Sequence, residues 1–238
     1  MFKFFIVTAV VLSMGCASKA PRENAEKKVL LEENFNRADS DVIGNSWKVT
    51  VGDSGVAKLD KESVLFEPED EDFTPRIEHT FAVQTSGKFT VSFKMDWVRE
   101  YETNWAFYMQ LGDSKKIPAK MDYESDAGEG ISVNLVWGGG EAIDSEEVAV
   151  FGSVKAGKVT KLAIVNDDED EKSIVVDPVV TIVVDMDKST YDVSINGKTY
   201  ANQAFDNKGS IDTIRFIADK TNMSNFVKAS VDDVKIVK

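Results

Sequence analysis

One run of the chain leaves little choice of secondary structure. In Lys88-Phe-Thr-Val-Ser-Phe-Lys-Met-Asp-Trp97, the residues Phe89, Val91, Phe93, Met95 and Trp97 take every second position, and Thr90, Ser92, Lys94 and Asp96 fill the gaps. Successive side chains of a β-strand point to opposite faces, so this period sorts hydrophobes to one side and polar groups to the other. A helix would scatter both sets around its axis. Trp105, Phe107, Met109 and Leu111 repeat the pattern, as do Ile131, Val133, Leu135 and Trp137. Further strands are expected over Lys158 to Val165, Pro178 to Met186, Thr190 to Ile195, Lys198 to Asn202, Ile211 to Ala218 and Ala229 to Val237. Asn196-Gly197 is a hairpin signal, because both central positions of a type I′ turn need positive φ, and Asp187-Lys188-Ser189 closes the hairpin before it. Many short strands in meander order, with no long helical periodicity and no internal repeat, predict an all-β chain: a two-sheet antiparallel jelly-roll sandwich. No Pro/Gly/Ser-rich linker divides residues 29–238, which are expected to form one domain large enough to bury a core without disulfides.

The first residues follow a different logic. Lys3 precedes an apolar run of about a dozen residues, reaching to Gly15, that is too short to span a bilayer and fits a signal peptide over residues 1–15. The run ends in Leu12-Ser13-Met14-Gly15-Cys16, which resembles a bacterial lipoprotein processing site, although its leucine lies one residue further from the cysteine than is usual. The resemblance implies lipidation of Cys16, the only cysteine of the chain, with ordinary cleavage near Ala17 to Ala20 as the alternative. Residues 16–28 then read as a polar tether. Ala17 and Ser18 resemble an outer-membrane sorting signal, so the expected location is the bacterial cell envelope, with membrane contact through the lipid only.

The formal charge of −13 and the absence of a basic stripe interleaved with aromatics argue against a nucleic-acid partner. His79, the single histidine, falls in phase with Ile77 and Phe81 and is expected at the core or its edge. One histidine and no cysteine in the body exclude zinc sites and Cys/His catalysis, and no nucleophile elbow supports a Ser/His/Asp triad. Gly152 to Val159 comes near a phosphate-binding loop, but Val159 replaces the required Ser/Thr and a strand, not a helix, is expected to follow. Gly138-Gly139-Gly140 is expected to be a turn. The charged stretches Glu67 to Asp72 and Asp167 to Glu171 are expected to be solvated loop tips, and Pro118 to Gly130 a longer loop.

Two segments carry a family likeness. Glu33-Asn-Phe-Asn-Arg-Ala-Asp-Ser-Asp-Val-Ile-Gly44-Asn-Ser-Trp47 resembles the opening of concanavalin A-like lectin/glucanase domains, laminin-G-like modules included. Ile211-Asp-Thr-Ile-Arg-Phe216 and Ser230-Val-Asp-Asp-Val-Lys-Ile236 are similar to their closing strands, the last of which returns beside the first. Phe35 and Trp47 are then expected to be core anchors, and Arg37, Asp39 and Asp41 turn and hydrogen-bonding residues. The resemblance also implies a saccharide groove on a concave sheet. It further implies a structural Ca2+, for which Glu33, Asp232 and Asp233 could supply hard oxygen ligands; no other cofactor is required.

If the apolar phase faces the core, Arg76, Glu78, Lys94, Asp96, Tyr108, Gln110, Ser132 and Asn134 project from the opposite face. Such donors and acceptors suit a hydroxyl-rich ligand, and a tyrosine ring can stack on a sugar. The leading expectation is non-catalytic binding of carbohydrate or another surface polymer. A glycoside hydrolase or polysaccharide lyase is the alternative, with Glu78 and Asp96 as paired carboxyls if their strands are neighbours. A structural or protein-binding envelope module, marked by an exposed apolar patch, is the third. The oligomeric state is not encoded in any of these features.

Overall fold

The computed structural model describes residues 27–51, 55–67, 75–98, 105–117, 130–137, 148–155, 158–167, 172–173, 178–206, 209–220 and 228–238. The expected signal peptide, Cys16, the stretches 68–74 and 168–171, residues 118–129 of the expected longer loop and the glycines 138–140 lie outside them. In chain order the strands are β1 (Val29–Glu33), β2 (Lys48–Thr50), β3 (Val56–Asp60), β4 (Ser63–Glu67), β5 (Arg76–Gln84), β6 (Lys88–Val98), β7 (Trp105–Gly112) and β8 (Ile131–Trp137). There follow β9 (Val148–Lys155), β10 (Lys158–Asp167), β11 (Lys172–Ser173), β12 (Val179–Asp185), β13 (Thr190–Ile195), β14 (Lys198–Ala204), β15 (Ile211–Lys220) and β16 (Lys228–Val237). No helix occurs among the described residues.

The strands form two sheets. The first runs β14-β13-β12-β6-β16-β4-β3, with β1 added to β16; the second runs β11-β10-β9-β8-β7-β15-β5-β2. Every strand pair is antiparallel, so the fold is the two-sheet jelly-roll sandwich that the alternating pattern predicts. The strand expected over Thr160 to Val165 is part of β10, which leaves no helix N-terminus after Gly152 to receive a phosphate. Asn196 and Gly197 have φ of 46° and 84°, the left-handed pair that the β13–β14 hairpin requires.

The core lies between the sheets. Phe89, Val91, Phe93 and Met95 from the first sheet meet Phe107, Met109, Leu111, Ile131, Val133, Ile214 and Phe216 from the second, all buried. Aromatic edges interlock at the centre: Phe93 meets Phe216 at 5.2 Å between centroids and Phe66 meets Phe107 at 5.3 Å, both edge-on. Phe35 and Trp47, 5.5 Å apart, anchor one end, and His79 lies edge-on to Trp47 at 5.1 Å. Burying hydrophobes of this size is worth roughly 1.5–3 kcal/mol each. Lys28 and Lys238 exchange two backbone hydrogen bonds of 2.8 Å, which ties β1 to the last strand.

Candidate functional site

Strand pairing distributes the polar residues expected to share a face over two separate surfaces. Arg76, Glu78, Tyr108, Gln110, Ser132 and Asn134 belong to the second sheet, on β5, β7 and β8. Lys94 and Asp96 lie on β6 in the first sheet. Because outward faces of a sandwich point away from each other, these two cannot join the group on β5, β7 and β8. The same topology corrects the expectation of a paired Glu78 and Asp96. β5 neighbours β15 and β2, whereas β6 neighbours β12 and β16, so the packed core separates the two carboxyls.

On the first sheet's outer face, Lys94 pairs with Asp233 at 2.5 Å and lines a groove of about 440 Å3 with Glu32 and Lys235. Asp96 lines another groove of about 320 Å3, with Asp60, Ser63, Leu65 and Lys228. Both are open, solvated surfaces between charged side chains.

The second sheet assembles a connected array. Register places Lys48 opposite Glu78, Glu78 opposite Arg215, Arg215 opposite Gln110, and Gln110 opposite Ser132, a straight row across β2, β5, β15, β7 and β8. A parallel row holds Thr50, Arg76, Ile217, Tyr108 and, by backbone register, Asn134. The Asn134 side chain lies outside the described set. Glu78 is the hub of the first row. Its Oε2 accepts from Arg215 Nε at 3.0 Å and Nη2 at 2.9 Å, and its Oε1 accepts from Lys48 Nζ at 2.8 Å. Burial by itself would raise the Glu78 pKa, but the bonds from Lys48 and Arg215 outweigh it and hold the carboxyl below its ordinary value.

This array is not an open trough. Tyr108 and Gln110 are 1 % exposed, Ser132 0 % and Arg215 5 %, although all of them point away from the core between the sheets. Tyr108 and Ile217 are buried yet stand outside the main hydrophobic cluster, so the central strands of this sheet are covered on both faces. The expected stacking role of Tyr108 is therefore corrected: its ring has no open face for a sugar. The accessible part is the flank formed by β2 and β5, where the Lys48 side chain is 68 % exposed and Arg76 and Glu78 are partly exposed.

Arg215 and Lys48 are not among the residues that sequence alternation assigns to the site. The signal for Arg215 lies in Thr213-Ile-Arg-Phe-Ile217: an arginine amid apolar residues in a strand hydrophobic on both phases needs a carboxylate partner, which Glu78 is.

The expected calcium ligands do not converge. Glu33, 6 % exposed, accepts bonds from Asn45 Nδ2 at 2.7 Å, Phe35 N at 2.9 Å and Arg37 Nη1 at 3.0 Å. Burial would raise its pKa, and these bonds overcome that and lower it. Its oxygens thus close the turn between β1 and β2, and Asp233 is committed to Lys94. Among the described residues no group of three or more His, Cys, Asp or Glu side chains is placed to hold a metal ion. Arg37 also donates to Ile43 O at 2.8 Å, and Asp39 accepts from Lys61 N at 2.9 Å, the turn roles expected of both.

No protein-family model and no curated protein sequence matches the chain. Solved structures do match, at low identity. A structure described as a sialidase aligns with a TM-score of 0.62 at 12 % identity over 87 % of this chain, which spans only 18 % of that protein's length. The carbohydrate recognition domain of Emp47p aligns at 0.56 and 9 % identity, covering 90 % of this chain and 97 % of its own. A Bacillus subtilis protein of unknown function with a galectin-like fold aligns at 0.55 and 12 % identity, covering 89 % and 97 %. At such identities the likeness defines a class of fold, the lectin-like jelly roll, and leaves the ligand to be argued from the residues.

Proposed function

We propose that this chain is an exported cell-envelope module that binds carbohydrate or a related surface polymer without cleaving it, held to the membrane by a lipid on Cys16. The observation that carries the reading is the row from Lys48 through Glu78, Arg215 and Gln110 to Ser132. Five neighbouring strands fix donors and acceptors at one level, and one flank of the row is open. Prearranged hydrogen-bonding groups of this kind suit hydroxyl-rich ligands, since ordering them costs little at the moment of binding. The shared fold with a carbohydrate recognition domain supports the same reading. Arg76, Lys48 and Glu78 form the contact surface, and Gln110, Ser132 and Tyr108 form the rigid floor behind it.

A general-acid role for Glu78 is disfavoured on chemical grounds. A general acid needs a raised pKa, and Glu78 is held ionised with both oxygens engaged.

The test is binding of the full-length protein to a glycan array. An Arg76→Ala, Lys48→Ala double substitution is expected to abolish the signal, and unchanged binding would remove the flank from consideration. Chelation of divalent ions is expected to leave binding intact, because Glu33 and Asp233 are already paired with protein cations. Separately, Cys16→Ser is expected to abolish fatty-acid labelling and membrane partition; labelling that persists would dispose of the anchor.

A further inference from the structure

We infer that the sugar received at this flank is an acidic one, bearing a carboxylate or sulfate that docks on Arg76. The inference rests on the carbohydrate-binding reading above and narrows it to a ligand class. Arg76 and Glu78 stand two residues apart on β5 and therefore share a face. Arg215 lies opposite Glu78, which makes Arg76 and Arg215 diagonal neighbours, roughly 7–8 Å apart at the backbone. With Lys48, the described residues of the flank bring three cationic side chains around one carboxylate, that of Glu78, on a chain whose formal charge is −13.

The roles of the two arginines differ. Arg215 commits Nε and Nη2 to Glu78. Among the described residues Arg76 makes no side-chain hydrogen bond or ion pair, and its Nε is shielded from solvent with no acceptor. Burial, and then the neighbouring Arg215, depress the Arg76 pKa, and Glu78 offsets them only in part. A hydroxyl would satisfy one N–H and leave the repulsion between the guanidiniums in place. An anionic group presents two oxygens to the planar fork and cancels the excess charge as well.

Binding of the full-length protein to four polymers tests this: polygalacturonate, its carboxyl-reduced form, dextran sulfate and plain dextran. The expected result is that at least one acidic polymer binds roughly tenfold or more tightly than its neutral counterpart. Arg76→Gln should remove that preference, with Arg76→Lys restoring part of it, and Lys198→Gln, on the edge strand β14 of the other sheet, should change nothing. Since the Arg76 side chain bonds to no other described residue, Arg76→Gln is expected to keep the wild-type melting midpoint, which separates lost binding from lost folding. Equal binding of acidic and neutral polymers, weakened alike by Arg76→Gln, overturns the acidic ligand and leaves the carbohydrate site standing. Acidic binding that survives Arg76→Gln overturns the assignment to Arg76. Binding to none of the four overturns the acidic ligand, and silence on the glycan array as well overturns the carbohydrate reading with it.

Discussion

The outer faces of the two sheets obey the same alternation and meet opposite fates. On the first sheet, β13 and β16 show the alternate burial of strands with one wet face, with polar residues such as Asp192, Ser194, Ser230 and Lys235 partly exposed. On the second, Phe107 to Gly112 is buried without interruption, and so is Thr213 to Ala218. Polarity at alternate positions therefore marks which way a side chain points, and not whether water waits there. Where it does not, each polar group must find a partner within the protein, as Arg215 finds Glu78.

The difference is open to attack, most forcefully at that pair. Arg215→Ala is expected to cost about 3–5 kcal/mol in urea unfolding, because it empties a buried site and leaves the half-buried Glu78 with only the exposed Lys48 as partner. The ion pair of Lys235 with Glu32, on the other sheet's wet face, should be removable with no measurable change. If the two substitutions prove equally mild, the second sheet's outer face is wetter than its burial indicates. Next in size, Ile217→Ala should behave as a core truncation at about 2–4 kcal/mol, while Val183→Ala, outward on β12 and 36 % exposed, should cost under about 1 kcal/mol.

The glycines sharpen the contrast on a smaller scale. A Cβ at Gly130, which has φ of 139°, would sit 2.2 Å from the Leu111 carbonyl oxygen, so Gly130→Ala must displace backbone beside β7 and is expected to cost more than about 2 kcal/mol. Gly197→Ala meets no atom within 4 Å and bears only the left-handed strain, about 1 kcal/mol. The smallest effect is the change of stability with pH, which is opposite in sign on the two sheets. The lowered pKa of Glu78 means that its stabilising contribution is present above 4.5 and lost as pH falls through the depressed value. Glu78→Gln should thus narrow its stability deficit on acidification. Asp232 is raised, by burial first and by Asp233 and Glu62 besides, so its ionisation opposes folding at neutral pH and ceases to do so below 3.8. Asp232→Asn should stabilise at pH 7 and lose that advantage in acid, as read from unfolding midpoints across the range.

The fold is legible in the sequence because it rests on local rules. The phase of Phe89, Val91, Phe93 and Met95 and the Asn196-Gly197 turn are each dictated within a few residues. The site is half legible for the same reason: alternation puts Arg76, Glu78, Gln110 and Ser132 on one face of one sheet. It does not reveal that β5 and β6, joined by the short Thr85 to Gly87 connection, enter different sheets, which is why alternation alone wrongly groups Lys94 and Asp96 with the rest. Nor does a strand's own sequence state what lies over its second face, so the burial of Tyr108 stays hidden. Arg215 escapes notice when its segment is read for its framework alone.

The placement of β16 bears on how the chain is made. This ten-residue strand is inserted between β6 and both β4 and β1. As synthesis proceeds from the N-terminus, β6 leaves the ribosome with both sides of its ladder vacant; β12 can fill one once residues 179–185 emerge, and the other stays open until residues 228–237 follow. The sheet therefore closes late, with the last strand to be made acting as the keystone of its centre.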